Sequence, residues 1–210
     1  MHNYIESLNW RYATKKFDSA KKVSQENINI IKEATQLAVS SYGLQPYEIY
    51  EISNPKVREE LKAASYNQSQ ITDASHLFVF AHKTGFGEEL VDDYIENISK
   101  IREIPVEGLA NFSNYMKNNV VGLPDETKHQ WTARQAYIAL GNLISAAAHL
   151  HIDACPMEGF EPEKYNKILG LTEKGLNAVL VVAVGYRSED DDTQHYKKVR
   201  KPQEQLFTLI

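Results

Sequence analysis

Arg11-Tyr12-Ala13-Thr14-Lys15-Lys16 places three cations and a hydroxyl in six consecutive residues, followed by Phe17-Asp18. A second basic cluster, Lys197-Lys198-Val199-Arg200-Lys201-Pro202, lies near the other end of a chain whose formal net charge is −5. Two basic segments on an acidic chain are the pattern of a focused anion site, because a basic face for nucleic acid raises the overall charge. On charge alone, two solvated Lys-rich surface segments compete with that reading. His149, His151, Asp153 and Cys155 alternate as metal ligands on a strand would. His149 falls in the last turn of an expected helix, however, where the dipole favours a cation. The period changes before Asp153, the four side chains do not converge, and no metal site is expected. Gly85-Phe86-Gly87 lacks the strand-to-helix fingerprint of a dinucleotide site and an acid at the required distance, and reads as a turn. Cys155, followed by Pro156, has no evident histidine base and is not a nucleophile candidate.

These residues must be positioned by one core. A chain of 210 residues, 42% hydrophobic and 24% charged, has the make-up and length of a globular domain, so residues 1–210 are expected to form a single unit. Met1-His2-Asn3-Tyr4-Ile5-Glu6 lacks the basic and apolar regions of a secretory signal, and the longest apolar run, 178–184, is too short to span a bilayer. One cysteine rules out an internal disulfide framework and fits a reducing compartment, so a cytoplasmic location is expected.

Apolar spacing predicts a helix over 24–39 with Ser24 as N-cap, and a turn at Ser40-Ser41-Tyr42-Gly43-Leu44-Gln45-Pro46. A strand over 47–52 follows, then a helix opened by Asn54-Pro55 and running to about 64. Residues 66–75 are polar and read as a turn with a short helix; 76–82 is an apolar, central strand. Helices are expected over 88–103, 107–121 and 125–150, the last capped by Asp125. Its small residues, Ala136, Ala139, Gly141 and Ala146 to Ala148, suit either a subunit interface or an Ala-rich core helix. Strands over 152–157 and 176–186 bracket a helix over 161–169 that Gly170 closes. The acidic loop 188–192 reads as solvated. The apolar ending Leu206, Phe207, Leu209 and Ile210 calls for something to pack on, such as a partner chain. Mixed α and β elements in one domain result.

Seven short segments carry more than any of them alone: RYATKKFD at 11–18, SSYGLQPY at 40–47, NQSQ at 67–70, DASH at 73–76, CPMEGF at 155–160, GLNAVLVVAVG at 175–185 and KKVRKP at 197–202. In this order and spacing the chain resembles the nitroreductase family of FMN-dependent NAD(P)H oxidoreductases, specifically the oxygen-insensitive nitroreductase and flavin reductase branch. The resemblance covers nearly the whole chain. It implies an α+β fold, with a central, mainly antiparallel sheet flanked by helices, in an intertwined homodimer. It further implies ping-pong hydride transfer through N5 of FMN, with NADH or NADPH as donor and a nitroaromatic, quinone or flavin as acceptor. Other reductive chemistry on the same fold, dehalogenation or enone reduction, and a non-enzymatic flavin binder are the alternatives. No metal, nucleic acid or membrane is implied.

Residue by residue, the resemblance implies that Arg11 lies near the FMN phosphate, Tyr12 and Ala13 offer backbone groups, and Lys15 sits at the pyrimidine end, tuning the flavin. Ser40, Ser41, Tyr42 and Leu44 would reach over from the other subunit. Asn67 and Gln70 would hydrogen-bond the pyrimidine edge, Pro156, Met157, Glu158 and Gly159 would lie along the isoalloxazine, and Lys198 and Arg200 would complete the phosphate clamp. The chemistry belongs to FMN, and no catalytic side chain is assigned. The chain departs from the family pattern at Gly43, where Asn is usual, at Tyr47, where Trp is usual, and at Gln70, where some relatives have Lys. The substrate-capping segment, about 104–123, matches least, with Phe112 and Tyr115 as its candidates.

Overall fold

The apolar run 77–81 belongs in a sheet covered on both faces, since successive strand residues point to opposite sides. The computed structural model describes residues 4–210. Met1, His2 and Asn3, part of the opening read for a secretory signal, lie outside the described residues. The run forms β2 (His76–Lys83), flanked by β1 (Tyr47–Glu51) on one side and β4 (Leu176–Gly185) on the other, with β3 (Asp153–Met157) at the far edge. All pairings are antiparallel, with Ile49 opposite Phe80, Phe78 opposite Val182 and Cys155 opposite Ala183. The sheet is the mainly antiparallel one expected.

Alternation then divides the core. Leu77, Val79 and Ala81 pack with Leu61, Ile71 and Tyr165, under α3 (Pro55–Ala63), α4 (Gln70–Asp73) and α8 (Pro162–Leu169). Phe78 and Phe80 pack with Ile28, Ile31, Ala139 and Leu143, under α2 (Gln25–Gln36) and α7 (Asp125–His149). Alanines at 136, 139, 147 and 148 are buried, so α7 lies close to sheet and α2. A smaller cluster joins α5 (Glu89–Arg102) to α6 (Ala110–Met116) through Val91, Ile95, Met116 and Val120. The chain opens with α1 (Tyr4–Trp10) and closes with α9 (Gln203–Leu206). No helix among the described residues is long and apolar enough to cross a membrane.

Local signals hold where side chains can satisfy the helix ends. Ser24 accepts from the Asn27 N–H at 3.2 Å, Asn54 from the Lys56 N–H at 2.9 Å, and Gly170 closes α8 at φ 62°. Three expectations shift. The cap of α7 is Pro124, with Asp125 already inside the first turn. Helix α2 stops at Gln36 and leaves Leu37 and Val39 exposed. The helix expected over 107–121 divides into a 3₁₀ turn, α6 and a π turn at Lys117–Val121. Asn119 donates its side-chain amide to the Tyr115 carbonyl at 2.7 Å, competing with the helical ladder there.

Buried His82 crosses the core as part of a polar chain. Its Nδ1 lies 2.9 Å from Thr132 Oγ1 and its Nε2 3.3 Å from Asn177 Nδ2, while Asn177 accepts from Asn166 at 2.7 Å. Because Asn177 presents an amide donor, Nε2 acts as acceptor and the ring is neutral with its proton on Nδ1. Burial, then neighbouring His129, pushes the pKa down to about 4 from 6.5. Between these values the unfolded chain binds more protons, so stability falls as pH falls through this window and is retained above it. Urea unfolding from pH 7 to pH 4 is expected to show that decline, and His82→Gln to flatten it.

Candidate functional site

The basic segment 11–18 is laid along the edge of the sheet. Ala13 bridges Ala154 in parallel, Phe17 bridges Arg187, and the Asp18 N–H donates to the Tyr186 carbonyl at 2.8 Å. Holding it there is a buried ion pair. Asp153, 3% exposed at the start of β3, accepts from Arg187 Nη2 at 2.6 Å, Nε at 3.0 Å and backbone N–H at 2.9 Å, and from Thr14 Oγ1 at 3.3 Å. The Arg187 guanidinium is stacked between the rings of Trp10 and Tyr12, 4.3 and 4.6 Å from their centroids. Behind the segment lies Asp191, which accepts from the backbone N–H groups of Lys15 at 2.7 Å and Lys16 at 3.1 Å and from the Tyr12 hydroxyl at 2.9 Å. Burial opposes its charge, yet these hydrogen bonds hold its pKa down to about 2; the Tyr12 phenol is pushed up by burial and by Asp191. The acidic loop is therefore not wholly solvated: Asp191 is 1% exposed, because the backbone donors of 15 and 16 require an acceptor.

The two basic segments meet. Lys198 Nζ donates to the carbonyls of Leu8, at 2.7 Å, and Arg11. Arg11, Lys197, Lys198 and Arg200 line one cavity of about 310 Å³ whose wall holds no carboxylate. Partial burial, then the Arg200 charge, lowers the Arg11 pKa; partial burial, then Arg11 and Arg200, lowers that of Lys198. Like charges gathered without a counter-ion repel, and an anion in the cavity relieves them. Burial pushes the Cys155 thiol up, partly offset by the Lys15 charge, and Lys15 itself is exposed.

The polar turn is tied to the residues just after β3. Gln68 Nε2 donates to the Gly159 carbonyl at 2.7 Å and to that of Ser65 at 3.1 Å, and Ser65 Oγ lies 2.7 Å from the Tyr165 hydroxyl. Asn67, exposed, stands in the left-handed region at φ 58°. Gln70 is 6% exposed, and no hydrogen bond to its amide occurs among the described residues. Pro156 and Met157 end β3, and Glu158 accepts from the Tyr137 hydroxyl at 2.5 Å. Burial, then Glu158, pushes Tyr137 up to about 12.

The Ser40–Leu44 turn is seated elsewhere in the chain. The Ser41 N–H donates to Gln135 on α7 at 2.8 Å, Leu44 is buried beside α5, and the Tyr42 ring meets Tyr115 on α6 edge-on at 6.2 Å. Gly43 has φ 80°, and a Cβ there would collide with the Tyr94 phenol, so an Asn at this position would displace Tyr94. Phe112 and Tyr115 are both exposed on α6. No hydrogen bond joins this turn to the basic segments among the described residues. Among the described residues no three or more His, Cys, Asp or Glu side chains gather as metal ligands, and Asp153 pairs with Arg187.

The model of the Nitroreductase family matches residues 8–186. The chain belongs to the nitroreductase family. It is 36% identical over 197 residues to the Bacillus subtilis protein named "Putative NAD(P)H nitroreductase YfkO", covering 89% of each chain. Its fold matches that of a nitroreductase from Exiguobacterium sibiricum, described as putative and solved in complex with FMN, with a TM-score of 0.85 and 18% identity over 100% of this chain and 98% of that one. It also matches an enone reductase of gut-bacterial fatty acid saturation metabolism, with a TM-score of 0.81 and 16% identity over 100% and 99% of the two chains.

For this nitroreductase-family chain, reading by motif overlooks the residues that hold the site together: Asp153, Arg187, Asp191 and Gln68. One signal was available, since an acid opening an otherwise apolar strand must find a cation. Arg187→Met leaves Asp153 buried without its partner and is expected to cost about 3–5 kcal/mol, measured by urea unfolding. A loss below about 1 kcal/mol would mean that water replaces the guanidinium.

Proposed function

We propose that the chain is a single FMN-binding domain over residues 1–210, a cytoplasmic NAD(P)H oxidoreductase that reduces nitroaromatics, quinones or flavins as a homodimer. One observation carries the reading: Arg11, Lys198 and Arg200 converge on a cavity with no carboxylate of its own. A terminal phosphate, carrying about two negative charges, matches that donor set in sign and size. The names of the relatives and the FMN complex of a protein of this fold agree with it.

Bound FMN supplies two-electron chemistry, coupling a nicotinamide donor to an acceptor in ping-pong fashion. The chain's own residues bind, orient and set charge. Arg11, Lys198 and Arg200 hold the phosphate, and Tyr12 and Ala13 lend backbone groups. The side-chain amides of Gln70 and Asn67, each able to donate and accept, suit the pyrimidine edge. The Lys15 ammonium at that edge favours whichever ring state carries negative charge. The segment 156–159 lies along the ring system. Ser40, Ser41, Tyr42 and Leu44 come from the second subunit, bringing Phe112 and Tyr115 of the same packed unit as walls for the acceptor. Because this fold also serves an enone reductase, the acceptor is set by such walls rather than by the fold.

Purified protein is expected to show a flavin spectrum that bleaches on adding NADH or NADPH; protein that neither carries nor takes up FMN overturns the reading. Arg200→Ala should weaken FMN roughly ten- to a hundredfold while leaving riboflavin nearly unchanged. Equal losses for both ligands would remove the phosphate assignment.

The dimer rests on exposed apolar side chains with no cover in one chain. They include Leu37 and Val39 after α2, Ile138 on α7, and Phe207, Leu209 and Ile210 in the tail. An intertwined pair covering them buries more than about 2,000 Å². Sedimentation at micromolar concentration should give a dimer, and an FMN-loaded folded monomer would exclude it.

A further inference from the structure

We propose that Asp191 is the positioning residue of the cofactor cradle, splinting the backbone of residues 12–16 so that Lys15 is held at the ring end of the site. The inference rests on the FMN reading above. Three donors from that segment, the N–H groups of Lys15 and Lys16 and the Tyr12 hydroxyl, converge on a single oxygen, Oδ2, at 2.7, 3.1 and 2.9 Å. The other oxygen, Oδ1, accepts from the Thr193 N–H at 3.1 Å. Thr193 and Tyr12 both line the cation cavity, so one carboxylate fixes two of its walls. Of the acidic loop, only Asp191 is turned inward; Glu189, Asp190 and Asp192 are exposed.

The geometry gives Asp191 an effect opposite in sign to its own charge. As an anion near the ring it disfavours reduction, which adds negative charge. As the splint for Lys15 it favours reduction by keeping the cation in place. Asp191→Asn removes the charge and one of two acceptor oxygens at constant size, and the sign of the resulting shift in potential tells which effect dominates.

Flavin affinity and midpoint potential of the full-length protein, with melting of the apoprotein, test the proposal. Asp191→Asn is expected to weaken FMN roughly tenfold and riboflavin by less, because Tyr12 and Thr193 also wall the cation cavity. Lys15→Met, which removes the cation, should lower the midpoint potential; Asp191→Asn should lower it too, and the double variant should fall no further than Lys15→Met alone. Asp192→Asn should change neither quantity. A raised potential would mean that Asp191 acts only through its charge. An unchanged potential, or one additive with Lys15→Met, would leave it a structural residue; each result overturns the proposal. If Asp191→Asn does not fold, Tyr12→Phe, which removes one donor to Oδ2 and keeps the ring on Arg187, must shift the potential the same way by less, and no shift overturns it. Wild-type protein that binds no flavin overturns the FMN reading and this inference together, whereas flavin-binding wild type with an indifferent Asp191→Asn overturns this inference alone.

Discussion

The Asp153–Arg187 pair is the contact on which the site depends. It joins the start of β3 to Arg187, two residues beyond β4, and its guanidinium is the layer between Trp10 and Tyr12. The segment 11–18 otherwise has little apolar surface with which to seat itself, since only Phe17 and Thr14 are buried between the two ends. A buried pair of this kind adds little net stability against an apolar replacement, because desolvation offsets the attraction. What it contributes is direction: the fork of Arg187 meets the carboxylate in one arrangement, and the rings fix the height of the chain above it.

A gathering of cations follows from that frame and runs against stability. Arg11, Lys198 and Arg200 would lie farther apart if folding free energy alone governed their places, since partial burial and repulsion by neighbouring cations lower the proton affinity of Arg11 and Lys198. Sites that bind charged ligands hold such local conflicts, and the rest of the fold must offset them. Here the offset is a sheet covered on both faces, with β2 and β4 almost entirely buried.

The Ser40–Leu44 turn belongs to a different body of packing. It is pinned to α7 through Gln135 and to α5 through Leu44, and Tyr42 touches Tyr115 on the segment expected to cap a substrate. Glycine at 43 gives the Tyr94 phenol the room it occupies, so the departure from Asn at 43 and the position of Tyr94 are one feature of the packing. In a dimer, the turn and that segment would move into the neighbour's site as one unit.

How much of this was legible in the residues depends on the range of the interaction. Periodicity placed β2, β4 and α7, because a residue's side of a strand or helix follows from its spacing alone. Ser24, Asn54 and Gly170 marked helix ends, since caps are settled within four residues. The basic clusters announced an anion site by composition, and the order of seven short segments pointed to the family. Three-dimensional packing alone decided that Asp191 turns inward while Asp190 and Asp192 stay in water. It also decided that Gln68 rather than its neighbours grips Gly159. Both outcomes rest on partners brought together by the fold, Gly159 lying 91 residues from Gln68 and Lys15 176 residues from Asp191. Local pattern carries a residue's preference for a face or a cap. Which donor a buried carboxylate meets is settled only when distant segments pack and every buried polar group must find its partner.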